Sequence, residues 1–199
     1  MRIFPTGYFP SIHYLIDFFQ EKIHEIEIHE NFPKQTIRNR CEILTGNGVL
    51  TLSVPIIHKH GHKQTTKEVE IDYTKNWPLD HWRAIESAYT SAPFFEDYAS
   101  EIKSLILYKH QCLIEKNEEI MEFIGGILDL EIAIKKTNVF SNSLPDKKNL
   151  YLEKYNLPEI KPYQQVFSYS KPFTTNLSII DLIFNEGPFC RNWILPSED

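Results

Sequence analysis

MRIFPTGYFPSIHYLIDFF, residues 1–19, holds the change of pattern that decides how the chain is read. Residues 2–6 are short and mostly apolar, which suits a strand. Gly7, Pro10 and Ser11 then mark a turn. From Ser11 the apolar residues Ile12, Leu15, Ile16 and Phe19 fall at i, i+3, i+4 and i+7, one face of a helix, with Ser11 placed to cap it. Strand, turn and helix in that order open an α/β fold, and in such folds the turn often faces a ligand. Free N–H groups and the helix dipole at that point can hold an anion.

Further along, EIEIHE (25–30) alternates apolar and charged residues and reads as a strand. RCEILTGNGVLTLSVPI (40–56) reads as a hairpin with Asn47-Gly48 within its turn. EVEID (68–72) reads as another alternating strand. After Trp77-Pro78 the period becomes helical. Trp82, Ile85 and Tyr89 share one face, and Phe95, Tyr98, Ile102, Leu105 and Ile106 a second. Leu113, Ile114, Asn117, Ile120, Met121 and Ile124 make a third, ahead of Gly125-Gly126. EIAIK (131–135) reads as a late strand. Residues 137–176 carry Pro145, Pro158, Pro162 and Pro172 and read as mostly irregular. LSIIDLIFNEG (177–187) reads as a short last helix, capped by Ser178 and stopped by Gly187. The expectation is one mixed α/β domain over 1–199: strands first, a helical middle and a short C-terminal helix.

Composition narrows the function. A chain of 199 residues with 42% hydrophobic and 24% charged residues can bury a sizeable core. The net charge is −6 and the basic residues cluster only in pairs such as Lys135-Lys136 and Lys147-Lys148, which disfavours nucleic acid as a partner. A small anion needs only one or two local cations and stays open. Cys41, Cys112 and Cys190 form no CxxC pair, so no thiolate zinc site is expected. No run of about 18 apolar residues marks a membrane span, and no apolar signal segment stands at the start. A cytoplasmic setting is therefore expected.

Five segments can carry chemistry. The opening corner, with Tyr8, is the first. It partly resembles the F-x-P-x-H-x-G-H signature of nucleotidyltransferases, through Phe9 and His13, but Leu15 and Ile16 follow where the second histidine would be. HENFPKQTIRNRCEI (29–43) is the densest. His29 and Glu30 end one strand, and Arg38, Asn39 and Arg40 begin the next. Arginines flanking an asparagine can fix a carboxylate, phosphate or sugar hydroxyl. In a strand Arg38 and Arg40 would share a face and Asn39 the other. In DHWRAIESAYTSAPFF (80–95), Asp80 is placed to cap a helix and His81 lies near its start, where it would stay neutral and serve as a general base. HKHGH places His58, His60 and His62 at alternating positions, a weak chelating pattern with lysines beside it, so no metal and no cofactor is assigned. In TNLSIIDLIFNEGP (175–188), Asp181 sits among apolar residues and would need a buried partner such as Arg38 or Arg40. Cys41, beside Arg40, is the best placed of the thiols for activation, though nothing else in the sequence supports it.

GYFPSIHYL, NFPKQTIRNRCEI, NGVLTLSVPI and NWPLDHWRAIESAYTSAPFFEDY, followed by PYQQVFSYSKPF and TNLSIIDLIFNEGP, together resemble the WbqC-like protein family. The pieces cover most of the chain, in order. The resemblance implies an association with surface-polysaccharide (O-antigen) biosynthesis and suggests transfer of an acyl or aminoacyl group to an amino sugar. It maps the recurring family positions onto Tyr8, Pro10, Asn39, Arg40, His81, Tyr89, Pro93 and Phe94.

The expected function is a transferase whose arginines hold an anionic sugar or nucleotide-sugar while His81 takes a proton. The alternatives are a sugar- or partner-binding protein without chemistry, and segments that only organise the fold or a homodimer.

Overall fold

The computed structural model describes residues 2–21, 23–59, 61, 63–140 and 159–195. The first strand, β1 (Arg2–Pro5), runs into the corner and then into α1 (Ile12–Phe19). β2 (His24–Glu27) returns parallel to β1, with Ile3 opposite Glu25 and Phe4 opposite Ile26. The expected strand over 25–30 thus stops at Glu27, where the backbone turns away from the sheet. β3 (Arg40–Thr45) and β4 (Gly48–Ser53) form the expected hairpin as a separate antiparallel pair. Gly48 has φ +115°, which a side-chain-bearing residue adopts only under strain.

Residues 68–72 correct the sequence reading. Their alternation does not become a strand in a sheet. A 3-10 turn covers Thr66–Glu68, and Glu70 and Ile71 make single bridges to Cys112 and Ile56. Among the described residues no neighbouring strand offers a continuous ladder, so the extended backbone pairs piecemeal.

Three helices follow: α2 (Trp77–Tyr89), α3 (Phe95–Leu107) and α4 (Leu113–Ile127). Asn76, not Asp80, occupies the N-cap position of α2, and Pro78 sits in its first turn. Gly125 and Gly126 lie inside α4 rather than ending it, because Ile132 and the Leu130 carbonyl approach too closely for a larger residue at 125. The apolar stripes expected for all three helices face the core. β5 (Ile134–Lys136) then joins β2 in parallel, giving the sheet order β1-β2-β5. Residues 141–158, within the stretch expected to be irregular, lie outside the described residues.

α5 (Ile179–Glu186) is the expected last helix, and the Ser178 Oγ accepts from the Ile180 N–H as its cap. A short 3-10 turn leads into α6 (Arg191–Ile194). Ser11 does not cap α1 through its side chain. Its backbone instead bridges that of Ser178, and the flanking Ile12 N–H donates to the Leu177 carbonyl at 3.1 Å. The Ile179 N–H donates to the Pro10 carbonyl at 2.9 Å. The first corner and the last helix are therefore sewn together.

Lys116 closes α3. Its fully buried ammonium donates to the carbonyls of Leu105 at 2.7 Å and Tyr108 at 2.8 Å. A cation at a helix C-terminus meets the negative end of the dipole. Burial still pushes its pKa down to about 8.

Gly187 ends α5 with φ +55°, and a Cβ there would collide with the Phe94 ring. Gly187→Ala should cost about 1–3 kcal/mol through overpacking and backbone strain. Denaturant unfolding measures it; an unchanged midpoint would mean that the Phe94 ring can move aside freely.

Candidate functional site

Because β1, β2 and β5 are parallel, their carboxyl ends lie along one edge of the sheet. Ligands of open α/β sheets bind outside that edge. The chain concentrates polar residues there. Thr6 follows β1, Glu27 closes β2, and Thr137 follows β5. The Thr137 hydroxyl donates to Glu27 Oε1 at 3.0 Å, and the His29 backbone N–H donates to the same oxygen at 2.7 Å. His29 Nε2–H donates to the Thr137 carbonyl at 3.0 Å.

Beyond β2, Glu30 meets Arg38. Arg38 Nε donates to Glu30 Oε1 at 2.6 Å, and both residues are 7% exposed. Arg38 Nη1 also donates to the Thr36 hydroxyl, and the Thr66 hydroxyl donates to Glu30. The guanidinium is thus committed to an internal carboxylate. Arg38 and Asn39 lie in the turn before β3, which begins only at Arg40, so the strand alternation expected for the three does not apply. Asn39 Nδ2 donates to the Val54 carbonyl at 2.9 Å, while its Oδ1 has no hydrogen-bond partner among the described residues. Half-buried Arg40 likewise has an unpartnered Nε.

The second focus is the corner. The Tyr8 hydroxyl lies 3.1 Å from His81 Nδ1. Burial raises the Tyr8 pKa well above the ordinary phenol, so the hydroxyl keeps its proton. Because the ring's other nitrogen is bonded to the Ser53 main chain and carries the proton there, Nδ1 accepts from the Tyr8 hydroxyl. His81 is then neutral with its proton on Nε2. Burial drives the imidazole pKa down to about 4, against a hydrogen bond from the ring to the Ser53 main chain and the Asp80 carboxylate, which raise it. Trp77 packs edge-on to both rings. Tyr8 has no exposed surface and His81 is 6% exposed.

Asn117 ties the end of β1 to the turn that carries Arg38. From α4 its Nδ2 donates to the Thr6 hydroxyl at 3.0 Å and to the Arg38 carbonyl at 2.9 Å. Sequence reasoning counted Asn117 only as part of the apolar face and overlooked Lys116 beside it. A polar residue in that stripe, with a lysine at i+3 from Leu113, was the available signal.

Asp181 joins neither focus, and the expected arginine partner is corrected. Tyr89 donates to one carboxylate oxygen at 2.9 Å, and Tyr163 (2.6 Å) and Gln165 (3.0 Å) donate to the other. Arg38 is held by Glu30 instead. Burial raises the Asp181 pKa despite these donors. Cys41 is buried and its thiol is pushed well up by desolvation, which removes thiolate character. His58 is exposed; His60 and His62 lie outside the described residues. Among the described residues no group of three or more His, Cys, Asp or Glu is arranged to hold a metal ion. Among them, too, no helix is long and apolar enough to cross a membrane.

Fold and site together define a class: an α/β protein whose polar residues gather at the carboxyl edge of a short parallel sheet. The chain belongs to the WbqC-like protein family, whose model matches residues 6–154. It is 26% identical to the uncharacterized protein Rv1507c of Mycobacterium tuberculosis (strain ATCC 25618 / H37Rv), over 91% of this chain and 88% of that one. No solved structure matches.

Two outcomes are expected. Unfolded His81 titrates near 6.5 and folded His81 near 4, so acidification from 6.5 to 4 favours the unfolded, protonated form. Stability should therefore fall across that window, and less steeply in His81→Asn; equal pH slopes in thermal melts would contradict the buried neutral imidazole. Asp181→Asn should lose about 1–3 kcal/mol by setting an amide donor against hydroxyl or amide donors. Its loss should be less than additive with Tyr163→Phe and additive with Arg40→Gln, as a double-mutant cycle would show.

Proposed function

We propose that the chain is a transferase of surface-polysaccharide assembly, moving an acyl or aminoacyl group onto an amino sugar or nucleotide-linked sugar. The observation that carries this reading is the Tyr8–His81 hydrogen bond at 3.1 Å, beside the carboxyl edge of the parallel sheet. Membership of the WbqC-like family supports the polysaccharide setting.

As a sugar amine attacks the acyl carbon of an activated donor such as a thioester, the C–N bond forms, the C–S bond breaks with the thiol as leaving group, and the amine must lose a proton. A neutral imidazole can take it, its basicity restored toward neutral pH as water enters the opened corner. His81 is the base in this reading, reached through Tyr8: the phenol receives the substrate proton as it passes its own to Nδ1. Asn39 and Arg40, each with an unpartnered polar atom, supply hydrogen bonds to the sugar or its anion. His29, Glu30 and Arg38 form the fixed wall, and Asp181 orders Tyr89 and Tyr163 behind the hairpin. The chain acts as a single domain.

One observation favours a second reading, a sugar- or partner-binding protein without chemistry. Tyr8 and His81 are closed to solvent. Proton transfer to them requires the corner around Phe9 to open. Phe9 has φ +39°, a strained conformation for a bulky residue and one that movement would relieve.

The test begins with a thermal-shift screen of nucleotide-sugars, acyl-CoA and amino acids, since a ligand of the folded state raises the midpoint. Turnover is then measured with the donors and acceptors that bind. Tyr8→Phe and His81→Asn should each lower kcat by about 10²–10⁴-fold with KM little changed. Turnover indifferent to both variants would remove the proposed base. Binding without turnover in the wild type would establish the second reading.

A further inference from the structure

A cleft of about 630 Å³ is lined by Phe32 and Lys34 on one side and by His58, Lys59, Lys63 and Gln64 on the other. We infer that it is a diphosphate-binding subsite, built from Lys34, Lys59 and Lys63 with His58 beside them. The inference rests on the transferase reading only for which substrate, acyl donor or nucleotide-linked sugar acceptor, the cleft holds.

Charge is the first support. The chain carries a net −6, yet three lysines line this cleft and no Asp or Glu is among its described lining residues. Lys34 and Lys63 are exposed and make no ion pair with a described residue. Lys59 is 3.0 Å from Glu70, outside the lining, and its side chain is still half exposed. Three like charges around one concavity repel one another, and that repulsion is relieved when a multivalent anion enters. The same cations oppose a divalent metal, so His58 belongs to an anion site rather than a chelate.

Shape is the second. The volume lies in the range of clefts that hold nucleotide-sized molecules. Half-buried Phe32 offers a ring in the same wall. The walls are fixed: the Phe32 N–H donates to the Gln64 carbonyl at 2.9 Å, and Lys59 N–H donates to Gln64 Oε1 at 3.1 Å.

Position is the third. Asn31 bridges Thr65, and the next pair inward is Glu30 with Thr66, whose N–H donates to the Glu30 carbonyl at 3.0 Å. The cleft therefore abuts the Glu30–Arg38 wall. A substrate anchored there by its diphosphate would extend its reacting end toward the carboxyl edge of the sheet.

A diphosphate occurs both in nucleotide-sugars and in coenzyme A, and the experiment separates them. Isothermal titration of the full chain would use UDP, coenzyme A, inorganic pyrophosphate and uridine. UDP or coenzyme A should bind, pyrophosphate should compete, and uridine should not bind. Lys34→Glu with Lys63→Glu, both exposed positions that leave the core intact, should weaken binding by about tenfold or more. Circular dichroism and melting of that variant check its fold. Binding of UDP alone makes the occupant the nucleotide-linked sugar that accepts the acyl group, and binding of coenzyme A alone makes it the acyl thioester donor; either upholds the cleft. No binding by the wild type, or affinity unchanged in the folded variant, overturns it. Diphosphate binding lost in the variant, without transferase turnover in the wild type, upholds the cleft and overturns the transferase reading. Turnover indifferent to the two substitutions does the reverse.

Discussion

The backbone seam between residues 9–12 and 177–179 is the constraint on which the rest depends. Across it the Ile12 N–H donates to the Leu177 carbonyl and the Ile179 N–H to the Pro10 carbonyl, the Ser178 N–H donates to the Glu42 carbonyl at 2.8 Å, and the Ser178 hydroxyl donates to the Phe9 carbonyl at 2.8 Å. One serine thereby joins the opening corner, the hairpin and the last helix. Phe9 keeps its left-handed backbone because these bonds over-determine it, against a conformational cost of about 1–3 kcal/mol. The same seam fixes the approach of Tyr8 to His81 on one side and of Asp181 to Tyr89 on the other.

Around that seam the charged groups of the described interior are compensated in different ways. Glu30 and Arg38 neutralise each other. Asp181 is surrounded by hydroxyl and amide donors. Lys116 faces the carbonyl end of a helix. In a low-dielectric interior each needs those partners, and the loss of one partner leaves an uncompensated group. These groups consequently define the relative placement of elements more sharply than apolar contacts alone, which tolerate sliding.

The sequence made the helices and the hairpin legible because their periods are strong and local. Trp82, Ile85 and Tyr89 share a buried face, as their spacing requires, and Ser178 and Gly187 bound the last helix at the expected positions. It misled at residues 68–72, where alternation depends on a neighbouring strand that the fold does not supply. The candidate site was legible in residue type but not in pairing. Glu30 and Arg38 are eight residues apart and were both named, yet their mutual contact was not. Asp181 was rightly expected to need a buried partner, but its partners come from Tyr89, Tyr163 and Gln165, and no local pattern announces a tyrosine 92 residues away. Asn117 and Lys116 went unread for a similar reason: their roles depend on which helix end and which carbonyl arrive opposite them.

The seam also orders events in time. The Phe9–Ser178 bond spans 169 residues, so the corner cannot adopt its final backbone until Ser178 has been synthesised. At about 5–20 residues per second, translation leaves that corner waiting for roughly 10–30 s. During that interval the aromatic residues of the first helix lack their last covering element and are exposed to chaperones. The last helix acts as a latch on the growing polypeptide, so truncation near Ser178 would leave the emerging protein unable to complete its own beginning.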